Sequence, residues 1–128
     1  FRRLPDSREF CGQVMAATIH GVDQQSTFFQ ELLDDAFTAH PLVYSGVPST
    51  LKNINYLHLL AEIKQPILIL HGEHDWVLPV EASQRLADLL PNARFELIHE
   101  HGHSLNVEDP RLFVSLVDRF LFSHTSAN

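Results

Sequence analysis

Two short stretches carry residue types that do acid–base chemistry. In "PILILHGEHDWVLP", Pro66 to Pro79, an apolar, β-prone run stops at Gly72 and is followed by Asp75; in "FELIHEHGHSLNVEDP", Phe95 to Pro110, a second such run gives way to Gly102 and His103. A carboxylate hydrogen-bonded to one imidazole nitrogen fixes the ring's tautomer and stabilises the imidazolium formed when the other nitrogen takes a proton. Asp75 and His103 are therefore the candidate catalytic residues, an orienting acid and a general base. Gly72 and Gly102 are expected to let the backbone turn sharply off each strand.

The elements around them must bring the two together. Strands are expected from Pro66 and over Ala93 to His99, both continuous apolar runs and so both expected to be buried on two faces. Between them "VEASQRLADLL" reads as a short helix with Ala82, Leu86, Leu89 and Leu90 inward. Asp109 as N-cap with Pro110 at the first helical position opens a last helix, whose stripe is Leu112, Phe113, Leu116, Val117, Phe120 and Leu121. The second half is thus β-α-β-α, the grammar of a parallel sheet with right-handed crossovers. In such sheets ligands bind beyond the C-terminal strand ends, where Asp75 and His103 both fall.

The first half is less regular. Residues 1 to about 24 fit either a helix or a strand. Thr27 with Gln30 reads as a capping box for a helix with Phe28, Leu32, Ala36, Phe29, Leu33 and Phe37 on its apolar face. "AHPLVYSGVPST" interrupts, and Leu51, Ile54, Leu57, Leu60 and Ala61 recur at helical spacing up to Ile63. The expected division is a mainly helical, lid-like segment over 1–63, a β-α-β-α unit over 64–122 and a frayed tail over 123–128. Two strands alone leave two unpaired sheet edges. The chain is therefore expected to associate with itself or to pair with a missing N-terminal half, unless "QVMAATIHGV" or "PLVYSGV" supplies further strands.

The pattern Gly-x-x-Asp-x-x-x-Pro at Gly72, Asp75 and Pro79, followed by Gly-His with Glu-x-Pro at Gly102, His103, Glu108 and Pro110, resembles the α/β-hydrolase family. The resemblance covers about Leu57 to Leu121, and the residues before about Asn55 would correspond to lid helices. It implies an α/β fold, here a partial parallel sheet with flanking helices that forms the C-terminal part of the family's core. It also implies a catalytic triad in which Asp75 is the acid and His103 the base. The family's nucleophile elbow, Gly-x-Ser-x-Gly, precedes the lid and the acid, and none of the five glycines here begins one. No residue of this chain is assigned as nucleophile; Ser45 and Ser104 are set aside, because adjacency to the base does not aim a hydroxyl at it.

The expected activity of the intact protein is hydrolysis of a small ester, lactone, thioester or related carbonyl substrate without a cofactor. A missing nucleophile that is Asp rather than Ser or Cys would mean dehalogenase or epoxide hydrolase chemistry instead. The rival reading is a truncated or self-associating chain with no activity of its own. Trp76 is a candidate substrate-binding residue at the mouth of the site, and Glu108 is read as part of the turn before the last helix. His71, His74, His99, His101 and His103 suggest a metal, but the spacing fits no zinc motif and none is assigned.

Composition narrows the rest. Nine Lys and Arg against sixteen Asp and Glu give a net charge of −7 with no basic run, so neither a nucleic-acid partner nor a polybasic membrane contact is expected. The apolar runs fall short of the ~20 residues a membrane helix needs. The single Cys11 cannot form an internal disulfide and reads as a small buried side chain. The chain begins with Phe1 rather than Met, so an upstream segment is expected; "FRRLPDSREF" lacks the apolar stretch of a signal peptide, and a cytoplasmic setting is expected.

Overall fold

The computed structural model describes residues 7–39 and 55–125, with side chains as far as Ser123. In chain order the elements are α1 (Arg8–Thr18), α2 (Thr27–Thr38), a 3₁₀ helix (Leu57–Glu62), β1 (Ile67–Gly72), α3 (Val80–Leu89), β2 (Ala93–Ile98), the one-turn α4 (Leu105–Glu108) and α5 (Pro110–Thr125). They fall into two compact units, one of Phe1–Ala17 with Gly21–Asn55, the other of Thr18–His20 with Tyr56–Asn128. Ser45, Leu51, Ile54 and the stretch "PLVYSGV" lie outside the described residues. No helix among the described residues is long and apolar enough to cross a membrane.

The ambiguous "QVMAATIHGV" is helical through Thr18 and supplies no strand. Cys11 and Gly12 are buried on α1, and the missing side chain of Gly12 makes room for Leu33, whose Cδ2 would stand 3.2 Å from an added Cβ. The Arg8 guanidinium reaches Asp34 Oδ1 at 2.6 Å and Gln30 Oε1 at 3.0 Å on α2. The N-cap of α2 is Ser26 rather than Thr27: Ser26 keeps an extended backbone, and its hydroxyl accepts Phe29 N–H at 3.2 Å while donating to Asp23 O at 2.6 Å. Gln30 reaches back past the cap to donate to Gln24 O. Phe29 and Leu33 are buried, and Phe28 is half exposed.

The second unit is built on a two-stranded parallel sheet in which Ile67 pairs with Ala93 and Gly72 with Ile98. Leu57 and Leu60 form a 3₁₀ turn, not the α-helix their spacing predicts, and Leu57 is exposed. Helix α3 turns Val80, Ser83, Ala87 and Leu90 toward the protein, whereas Ala82, Leu86 and Leu89 are exposed. Its apolar residues span more of the helix surface than two strands can cover, so only part of the predicted inward face is used.

Asp109 caps α5 as its spacing predicts, with Oδ1 accepting Leu112 N–H at 2.9 Å and Pro110 in the first turn. Ile98, Leu105 and Leu116 form the buried cluster, with Leu70, Leu112 and Phe113 packed against it. Leu121, placed on the same stripe by the sequence, is exposed, and α5 continues to Thr125, past the boundary expected for a frayed tail. Ile67, Leu68, Ile69 and Leu70 are only half-buried, and Leu97 is exposed, so the strands are not enclosed on both faces. Leu68 and Leu70 instead border an open apolar cavity of about 470 Å³ that they share with Phe113, Val117, Phe120 and Leu121.

Burial predicts the energetic contrast along α5. Leu116, 6% exposed against 53% for Leu121, is expected to cost about 2–5 kcal/mol when replaced by Ala. Leu121→Ala should stay within about 0.5 kcal/mol of the unsubstituted chain, and urea denaturation of the two variants measures the difference.

Candidate active site

The sequence Ile-Leu-Ile-Leu brings β1 to Gly72, and the backbone of the next loop passes directly over it. A Cβ on Gly72 would collide with the carbonyl oxygens of Gly102 and His101, and one on Gly102 would stand 2.9 Å from His20 Cβ and 3.0 Å from Glu108 Oε1. Neither glycine has a positive φ. Crowding, not a sharp turn, is the reason glycine stands at both positions: by backbone at Gly72, and by the His20 and Glu108 side chains at Gly102. Glu73 N–H donates to Ile98 O at 2.9 Å and His74 N–H to His101 O at 2.8 Å, joining the two loops. The Glu73 carboxylate accepts Glu100 N–H and faces His99 Nδ1, each at 3.2 Å. These two contacts, the Glu100 N–H first, lower its pKa from the ordinary value. Glu100 itself sits in the left-handed region with φ 59.

Asp75 and His103 meet at this junction. Asp75 Oδ2 accepts His103 Nδ1–H at 2.8 Å, while Oδ1 accepts Val77 N–H at 2.8 Å and Leu78 N–H at 3.0 Å. The carboxylate is 5% exposed and the imidazole 36%. Burial by itself would raise the Asp75 pKa, but the hydrogen bonds from His103, Leu78 and Val77 outweigh it and hold the carboxyl below its usual value. The Nε2 of His103 has no hydrogen bond among the described residues. An imidazole whose Nδ1–H is held by an ionised carboxylate can take a proton at Nε2.

Glu108, assigned to a turn by its sequence position, does more than end one. It closes α4, a helix absent from the sequence reading, and its carboxylate accepts three backbone N–H groups: Gly102 at 2.6 Å, Ser104 at 3.1 Å and His20 at 3.0 Å. Two of those donors flank His103, so this one side chain holds the His103 loop on both sides and ties it to the Thr18–His20 segment. Ser104 is the residue before α4. Trp76 follows Asp75 in the chain and is 60% exposed.

The other histidines are placed separately. His74 packs its ring against His20 with centroids 4.6 Å apart, and His101 Nδ1–H donates to His99 O at 2.7 Å. No three His, Cys, Asp or Glu side chains among the described residues are grouped to hold a metal ion. Burial raises the Cys11 thiol pKa, with Arg8 opposing it, which keeps the thiol protonated. His71, set aside with the other histidines, is buried beside Asp75 and Ser83. The available signal was an imidazole at the end of an otherwise apolar strand, since a buried polar group needs partners.

Two measurements follow from these contacts. Glu108→Gln keeps one acceptor oxygen but turns an amide N–H₂ against backbone donors, and should cost about 1–3 kcal/mol in urea denaturation. Because the folded-state pKa of Asp75 is depressed, its stabilisation is present above the unfolded-state value of about 3.9 and is lost as pH falls through the folded value. Acid titration of stability should therefore drop less steeply in Asp75→Asn than in the unsubstituted chain.

Comparison with known proteins identifies the family. A family profile described as the alpha/beta hydrolase fold matches residues 24–110. The chain is 32% identical over 120 residues to the protein named "Putative carbamate hydrolase RutD" of Pseudomonas savastanoi pv. phaseolicola, covering 88% of this chain and 46% of that one. It superposes on the esterase RhEst1 of Rhodococcus sp. ECU1013 with a TM-score of 0.76 and 27% identity, over 91% of this chain and 42% of the esterase. A bromoperoxidase of Bacillus anthracis shares the fold, with a TM-score of 0.81 at 20% identity over 93% of this chain and 45% of that one. The chain spans about half the length of these proteins. With a parallel β-α-β-α unit that matches hydrolases in sequence and in structure, the chain belongs to the α/β-hydrolase fold family.

Proposed function

We propose that Asp75 and His103 are the orienting acid and general base of a hydrolase acting on a small ester, lactone or related carbonyl substrate, with a nucleophile that lies outside these 128 residues. The observation that carries this reading is the 2.8 Å contact between a nearly inaccessible Asp75 carboxylate and the half-exposed His103 ring. In the proposed step, a hydroxyl or thiol attacks the carbonyl carbon and its proton passes to His103 Nε2. Asp75 stabilises the resulting imidazolium, and the proton then goes to the leaving group. Trp76, exposed beside Asp75, is the proposed apolar contact for substrate.

The test compares two polypeptides on activated aryl esters. The 128-residue chain alone should show no turnover above buffer, because the nucleophile and oxyanion donors supply the interactions made only in the transition state. A longer product of the same gene that adds a Gly-x-Ser-x-Gly turn should be active, with kcat falling by roughly 10³- to 10⁴-fold in His103→Ala and in Asp75→Asn. Turnover by the 128-residue chain that disappears in His103→Ala would overturn the external nucleophile. Full activity of His103→Ala in the longer product would overturn the base.

A second reading, a chain with no turnover of its own that associates with further copies or with a complementary part, is favoured by the sheet. Its two strands leave both outer edges unpaired among the described residues, and edges of this kind invite pairing. Light scattering across a dilution series should give a mass above that of one 14.6 kDa chain. A folded species at the single-chain mass throughout would count against association.

A further inference from the structure

His71 takes no part in the proton relay proposed above, yet it faces the same carboxylate. It is the last residue before Gly72 on β1, its side chain is 4% exposed, and its Nε2 stands 3.9 Å from Asp75 Oδ2. That oxygen is the one that accepts His103 Nδ1–H. On the other side of the ring, Nδ1 lies 2.8 Å from Ser83 Oγ on α3. One carboxylate oxygen thus faces two imidazoles, one half-exposed and one enclosed.

The enclosed ring has a choice of two tautomers, and its neighbours decide it. With the proton on Nδ1, the ring would donate to Ser83 and present the Nε2 lone pair to an ionised, buried oxygen. With the proton on Nε2, the Ser83 hydroxyl donates to Nδ1 and the Nε2–H dipole faces Asp75. Poor screening inside the protein enlarges the difference between the two arrangements. We propose that His71, kept in the Nε2–H tautomer by Ser83, is a positioning residue that holds Asp75 Oδ2 toward His103.

The Asp75 carboxylate is then fixed at both oxygens. Oδ1 accepts the Val77 and Leu78 N–H groups, and Oδ2 accepts His103 Nδ1–H, while His71 Nε2, 3.9 Å away and beyond hydrogen-bond distance, acts on Oδ2 through the ring dipole. Rotation about Cβ–Cγ would break the hydrogen bonds to both oxygens at once. His71 does not reach the proton that His103 transfers; its effect passes through Asp75.

This inference rests on the reading of Asp75 and His103 as orienting acid and base, and one experiment separates the two. Long-range proton–nitrogen correlation spectra of the full chain, labelled in its histidines and recorded at neutral pH, report the tautomer of each ring. The unsubstituted chain should show His71 protonated at Nε2 only, and a His103 Nδ1–H resonance protected from exchange. In His71→Leu that protection should be lost, and in His71→Gln, whose amide keeps an N–H donor, it should return in part. Ser83→Ala should leave His71 in mixed tautomers and weaken the His103 signal, which decides the matter if His71→Leu does not fold. His71 protonated at Nδ1, or a His103 signal unmoved in the folded His71 and Ser83 variants, overturns the inference. Absence of the His103 Nδ1–H signal from the unsubstituted chain would instead overturn the acid–base pair itself.

Discussion

The site depends on the approach of two backbones. Where β1 ends, the Gly72 Cα lies so close to the carbonyls of His101 and Gly102 that no side chain fits between them. Paired strands can lie side by side and still send their loops apart. Here the parallel register carries Gly72 to Ile98, and the Glu73 and His74 N–H groups bind the second loop as it leaves. The contact between Asp75 and His103 is made between these two joined loops.

Electrostatics then acts on that frame. Asp75 would resist ionisation if burial acted alone, and it is the donors arriving from its own loop and from His103 that reverse the balance. Those donors already surround the carboxylate, so its orientation toward the imidazole is set by the fold itself. Glu108 does for the neighbouring backbone what Val77 and Leu78 do for Asp75. It takes up N–H groups that would otherwise lack partners in a loop with no ladder of its own.

The sequence made part of this legible. Asp75 and His103 could be found because each follows an apolar run and a glycine, and strand order places both at one end of the sheet. The β-α-β-α alternation and the Asp109-Pro110 helix start were readable for the same reason, as local patterns. What lay beyond reach depends on the tertiary neighbourhood. Gly72 and Gly102 stood out, but the crowding that requires them comes from residues far along the chain. Glu108 gathers N–H groups from both sides of His103 and from His20, and no spacing rule encodes that. Leu86 and Leu89 carry helical periodicity, but which side of α3 faces the sheet depends on how many strands that sheet has. Ser26 and Thr27 are both good caps, and only the backbone conformation separates them.

The Glu108 to His20 contact also bears on the order in which the molecule assembles. Its partners are 88 positions apart, and closing an unstructured loop of that length costs about 4 kcal/mol in chain entropy beyond the constant part. A hydrogen bond to a charged group returns roughly 1.5–3 kcal/mol, too little to draw the ends together unaided. The β1–α3–β2 pairing spans a much shorter loop and has the Ile98, Leu105 and Leu116 cluster behind it, so it forms first on the same arithmetic. On that arithmetic the brace between the His103 loop and the Thr18–His20 segment is expected to close after the strand pairing, and it ties down a loop that the Glu73 and His74 N–H groups already hold against β1.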